Sequence, residues 1–135
     1  MRMKSFAPLL YAAGVFSASV ACAGSLKAEP LPLSHGTYVQ ADLACEGAPF
    51  AALRTYDGQG LGGPHDSKCV SKIVDAYGKT YRIATSCAAA GDGSPVAPTT
   101  TSETVFVPSR RSFKIADGSA GDQGGVSYKL CPGSK

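Results

Sequence analysis

The chain has 135 residues, with 13 Lys+Arg against 10 Asp+Glu and a formal charge of +3. That is one domain of sequence, with too little basic charge for a dedicated nucleic-acid binder, whose cations gather in number on one face. Hydrophobic residues make up 44%, so the chain can bury a core, while His35 and His65 as the only histidines, and Glu29, Glu46 and Glu103 as the only glutamates, leave little for catalytic or metal constellations.

Residues 1–23 read as a secretory signal. Arg2 and Lys4 open it, an apolar stretch covers 6–16, and Ala21-Cys22-Ala23 satisfies the small-x-small cleavage rule. The uncharged run over 5–26 is long enough to span a membrane, but its Ala and Ser content and the cleavage pattern favour export. A rival reading makes Cys22 a lipid-anchored N-terminus. Ser19 stands where bacterial lipoproteins usually carry Leu. Cleavage removes Arg2, Lys4 and Cys22, which leaves a nearly neutral chain with four cysteines: Cys45, Cys69, Cys87 and Cys131. An even set in a small exported domain reads as two disulfides in an oxidising compartment, the periplasm or beyond.

Residues 24–135 then form a single secreted β domain. An extended, Pro-containing lead-in over 24–35 comes first. Residues 37–41 are a candidate strand. Residues 47–54 fit either one helical turn, with Pro49 at its start, or an edge strand. Val70, Ile73 and Val74 precede a turn at Gly78, and Tyr81, Ile83 and Thr85 alternate with Arg82 and Ala84 after it, as in a half-buried hairpin strand. Cys69 and Cys87 are equidistant from Gly78, so an odd-length loop would set them opposite each other within disulfide reach. This favours Cys69–Cys87 and leaves Cys45–Cys131, although four cysteines allow three connectivities. Residues 90–102 read as a Gly-, Pro- and Thr-containing loop, 103–108 and 112–116 as strands, 117–125 as a second loop and 125–131 as the closing strand. The sum is an all-β fold, a small antiparallel β-sandwich or barrel of about six to seven strands, stapled by disulfides.

The Gly-rich segment 57–68 is the most unusual stretch. Gly58, Gly60 and Gly63 match G-x-G-x-x-G in form, but Pro64 and a hairpin follow where a dinucleotide site needs a helix. A mobile loop and a protruding recognition loop are the two remaining readings. His65-Asp66-Ser67 has the composition of a hydrolytic trio, yet neighbours in an extended chain point to different sides and no G-x-S-x-G marks a nucleophile. The expectation is therefore a protein that is not an enzyme. No cofactor or metal is expected either: the cysteines are paired, two distant histidines make a thin ligand set, and the acids of 117–122 miss EF-hand spacing. Arg110 and Arg111, with Lys68, Lys72, Lys79, Arg82 and Lys114, form either a solvated face or a clamp for a partner's carboxylates.

An export signal, one small β domain, Tyr38 and Cys45 early, a Gly-rich loop after Tyr56 and Tyr128-x-x-Cys131 at the end together resemble the small periplasmic lysozyme inhibitors of Gram-negative bacteria. The Trp-x-Lys-Gly segment of the C-type inhibitors is missing, because the chain contains no Trp. The resemblance implies a partner, lysozyme, whose two cleft carboxyls would be met by a loop carrying His65, Ser67 and Lys68, with Arg110 and Arg111 at the rim. The alternative is a non-enzymatic envelope module that binds a small molecule or glycan.

Overall fold

The computed structural model describes residues 28–116 and 124–133. The expected signal segment 1–23, Cys22 included, and most of the loop expected over 117–125 lie outside the described residues.

Eight strands run in chain order: β1 Gly36–Gln40, β2 Leu53–Tyr56, β3 Leu61–Gly62, β4 Asp66–Tyr77, β5 Thr80–Ala90, β6 Pro95–Ser109, β7 Ser112–Ile115 and β8 Val126–Leu130. They form one antiparallel sheet in the order β3-β2-β1-β8-β7-β6-β5-β4, curled until its two edges, β3 and β4, nearly meet. The class is all-β and barrel-like as expected, but with eight strands rather than six to seven. The difference lies in 47–63. Residues 47–54 contain a 3-10 turn at Phe50–Ala52, with Pro49 just before it, and then the start of β2, which is paired with β1 and β3 and is therefore not the edge strand expected as the alternative. β3 is two residues long, too short for any alternation to show.

The loop expected over 90–102 is corrected as well. β6 begins at Pro95 and runs for 15 residues, pairing with β5 along its length. Its β-branched Thr run suits a strand. Residues 95–102 are exposed, however, so they lack the apolar alternation by which a half-buried strand is read.

Alternate residues of the longer strands point into the barrel. Leu31 and Leu33 of the lead-in, Tyr38, Tyr56, Leu61, Ile83, Val105, Val107, Phe113 and Tyr128 make one core. Phe113 stacks on Tyr128 at 4.9 Å, and Tyr38 tilts against Phe113 at 5.1 Å, separations at which aromatic pairs add to simple area burial. The interior is packed with these side chains in the manner of a small barrel. Two buried hydroxyls sit among them, Ser71 and Thr85, bonded to each other at 2.7 Å.

The two edges are joined by few bonds. Ser71 N donates to Gln59 O at 2.9 Å, and Leu61 N donates to Ser71 Oγ at 3.0 Å. Gly60 makes that approach feasible: a Cβ there would stand 2.3 Å from the Cys69 carbonyl oxygen.

Both disulfides form as favoured from the register. Cys69 and Cys87 are direct partners across β4 and β5, with Cα atoms 4.0 Å apart. Cys45 and Cys131 are 5.7 Å apart and tie the segment between β1 and β2 to the residue after β8. The loop between β4 and β5 is not odd in length. Tyr77 pairs with Thr80 around a two-residue turn whose first residue, Gly78, has φ 58°, the positive φ that hairpin turns matching the strand twist require. A bulge between Ile73 and Asp75 adds the residue that brings Cys69 back opposite Cys87.

Candidate functional site

The Gly-rich segment divides into a buried half and an exposed half. Asp57 Oδ1 accepts bonds from Gln59 N at 2.8 Å and Gly60 N at 2.9 Å, the side chain imitating a backbone turn. Gly58 has φ 87° and lies directly under the His35 ring, and residues 60–62 are buried. This half lies against the barrel and does not protrude from it. Its glycines serve close backbone approach and barrel closure. Gly63 is followed by β4 and not by a helix, so the G-x-G-x-x-G match has no phosphate-binding context.

The exposed half is the corner at 64–68, where the chain enters β4 beside the end of β5. The His65 ring meets Phe50 edge-on at 5.7 Å, and Phe50 is itself 57% exposed. Ser67 Oγ donates to Ala90 O at 2.6 Å. Its proton is therefore spent on the fold and not offered to His65, so the pair is not a nucleophile and its base. Lys68 is exposed and has φ 52°, the sole positive φ at a non-glycine among the described residues. No hydrogen bond or ion pair engages its ammonium among the described residues. A β-strand bearing an L-residue in the left-handed region costs roughly 1–2 kcal/mol. Cys69, the next residue, is lashed to Cys87, which fixes the corner in place.

Arg110 and Arg111 lie elsewhere. They form the turn between β6 and β7, where the Arg110 carbonyl accepts from Ser34 N at 2.7 Å and the Tyr38 hydroxyl at 3.1 Å, and the Arg111 carbonyl accepts from Leu130 N at 2.9 Å. The start of β5 pairs with β6 just before this turn, whereas the end of β5 pairs with Asp66 and Ser67. His65, Ser67 and Lys68 thus share one corner, as their adjacency in the chain requires, whereas the two arginines lie at the opposite end of β5.

Three features were not read from the sequence. Arg54 on β2 meets Glu103 on β6 at 2.9 Å, both largely buried, with the guanidinium 6.0 Å from the Tyr128 ring centre. Tyr38 is buried, which pushes its phenol up to about 12. The nearby Tyr56 adds to the rise, while the Arg111 and Arg110 guanidiniums and the bond to Ser34 O oppose it. Tyr56 is raised too, chiefly by burial, with its hydroxyl bridging the Leu31 N–H and C=O. Third, an open groove of about 650 Å³ separates the lead-in from β4, with Glu29 and His35, joined at 2.7 Å, and Asp57 and Lys72 on its walls. Alternation in β2 places Arg54 on the same face as Tyr56 and could have flagged the first. The others depend on long-range contacts.

Among the described residues no cluster of three or more His, Cys, Asp or Glu is placed to hold a metal ion, and no helix is long and apolar enough to cross a membrane. The two disulfides are consistent with an oxidising compartment. No protein-family model, no curated protein and no solved structure matches the chain.

Proposed function

We propose that this is an exported inhibitor that binds a lysozyme by inserting the 64–68 corner into the enzyme's cleft. The observation that carries the proposal is Lys68: an exposed ammonium, unpaired among the described residues, on a strained backbone and next to a disulfide. Backbone strain persists where the surrounding structure enforces it, and it collects at functional positions. Lysozyme acts through two carboxyl groups in a cleft. A fixed cation delivered there meets them without first paying to order a loop.

Two further facts support a surface mode of binding. The barrel interior is filled by its own side chains, Tyr38, Phe113 and Tyr128 foremost, which leaves the outer surface for recognition. Phe50 and His65 form an exposed aromatic edge at the same corner of the chain that can pack on the cleft wall. Arg110 and Arg111, at the other end of β5, are assigned no part in the insertion.

The test is a lysis assay on a peptidoglycan suspension, with the mature chain titrated against a C-type lysozyme. Inhibition is expected, and Lys68→Ala is expected to weaken it. Full lysozyme activity in the presence of a large excess of folded protein would rule the proposal out.

A further inference from the structure

Most hydroxyl side chains of the barrel hold a turn or join two strands. Ser67 donates to Ala90 O, Ser71 and Thr85 bond each other, Ser94 bonds Asp92 Oδ1 at 2.6 Å, and Ser109 bonds Ser112 at 2.8 Å. Thr99, Thr100, Thr101 and Ser102 differ. They stand in succession on β6, their backbone is paired with β5, and their side chains make no hydrogen bond among the described residues. They end the stretch 95–102, every residue of which is exposed and none of which is charged. No side chain of that stretch belongs to the core, so packing does not dictate its composition. The β propensity of Thr suits a strand, but Pro95 and Pro98 work against one. A run of Ser and Thr with Pro, in an exported chain, has the composition of an O-glycosylated segment.

Strand register decides which of these hydroxyls face outward. Thr100 is opposite Ser86, and Ser102 is opposite Ala84. Directly opposed residues share a face. Ile83, Thr85 and Cys87 are buried, so the odd positions of this part of β5 point inward and the even ones outward. Thr100 and Ser102 therefore point outward, each beside a small side chain, whereas Thr99 and Thr101 share the face of Cys87 and Thr85. The shelf of Ser86 and Ala84 leaves room for a sugar ring on either outward hydroxyl. Val70, opposite Ser86 on β4 and 38% exposed, offers apolar surface to the C–H face of a ring on Thr100. β7 pairs with β6 only from Val105 onward, so its ladder does not cover this stretch.

We propose that Thr100 and Ser102 are acceptors for O-glycosylation, a bulky and solubilising surface modification. The donor is a sugar diphosphate, linked to a nucleotide or to a polyprenyl chain. Its anomeric carbon loses the bond to the phosphate oxygen and forms one to Thr100 Oγ1 or Ser102 Oγ. The diphosphate leaves with the electron pair, and the hydroxyl proton passes to a base of the transferase. Ser94 precedes Pro95 but is not an acceptor, because its hydroxyl is committed to Asp92. The inference rests on the export in the preceding reading and on no part of the lysozyme contact.

The experiment measures the intact mass of the protein purified from the cells that encode it, then locates any added mass by electron-transfer fragmentation, which leaves O-linked sugars in place. The expected result is a chain lacking residues 1–23 and heavier than its sequence by whole monosaccharides carried on Thr100, Ser102 or both. The double variant Thr100→Val, Ser102→Ala should lose the added mass completely. Its thermal midpoint should match that of a parent chain produced without glycosylation, since both side chains are exposed and unbonded. The double variant Thr99→Val, Thr101→Val should keep the added mass. A chain that lacks residues 1–23 and carries no sugar, or carries it only outside 100–102, would overturn the acceptor assignment alone. A chain that retains residues 1–23 and carries no sugar would overturn export with it.

Discussion

Replacing Lys68 by glycine separates what the residue does for the fold from what it does for a partner. With φ at 52°, Lys68 holds a conformation that costs an L-residue roughly 1–2 kcal/mol. Glycine enters that region freely but gives up about 0.5–1 kcal/mol more backbone entropy on folding. The lysine side chain contributes no hydrogen bond or ion pair among the described residues. Lys68→Gly should therefore stabilise the domain by about 0.5–1 kcal/mol. For a domain of this size that is a rise of about 3–6 °C in Tm. Thermal unfolding followed by circular dichroism measures it. The same variant lacks the ammonium that we place between the lysozyme carboxyls. Truncating one partner of a buried charge pair costs about 2 kcal/mol or more, so inhibition should weaken at least about tenfold. Lys68→Ala should lose inhibition to the same degree without the gain in Tm. A Lys68→Gly protein that melts below the parent would refute the strain at this position. One that melts higher and inhibits as well as the parent would refute the insertion.

Gly60→Ala should act on the fold alone. Its new Cβ would lie 2.3 Å from the Cys69 carbonyl oxygen, a clash with backbone that forces the two sheet edges apart and should cost about 2 kcal/mol or more. A urea midpoint equal to the parent's would show that the edges do not meet as described. Alkaline pH should also weaken the fold. The Tyr38 phenol is raised to about 12 in the folded state against an ordinary value near 10, so the unfolded chain releases its proton first. The stability this burial confers is whole below about pH 10 and is lost as pH climbs towards 12, on the order of 2 kcal/mol. Burial raises Tyr56 in the same direction. Urea unfolding at pH 9 and pH 11 reads the loss, and Tyr38→Phe should flatten the dependence.

Much of the architecture could be read from local pattern. The β4–β5 hairpin announced itself through Tyr81, Ile83 and Thr85, which alternate about a glycine turn, and the same register paired Cys69 with Cys87. The odd-length loop assumed for that pairing is absent, and the bulge between Ile73 and Asp75 compensates for it. A bulge leaves no mark that single-sequence periodicity can read. β3 and the first half of β6 were missed for opposite reasons: one is too short to alternate, and the other is exposed on both faces. At the candidate site, composition singled out the 57–68 segment but not its form. The glycines at 58 and 60 suggested exposure, yet they are buried because His35 and the Cys69 carbonyl come close to them from elsewhere in the chain. The left-handed backbone of Lys68 and the remoteness of Arg110 and Arg111 are likewise set by tertiary contacts, which spacing along the chain does not encode.

The seam between β3 and β4 has a kinetic meaning. Each of the other strand junctions is a ladder, and the β4–β5 ladder is reinforced by Cys69–Cys87, whereas the seam rests on the bonds that Ser71 makes to Gln59 and Leu61. A closed sheet with one weak join opens there first, at a free energy well below that of global unfolding. The Ser71 and Leu61 amides should then exchange with solvent early, while those of the β5–β6 ladder wait for the whole domain. Because the disulfide holds β4 to β5, such an opening leaves the Lys68 corner on the β5 side of the seam, so that the corner keeps its place while the join beside it fluctuates.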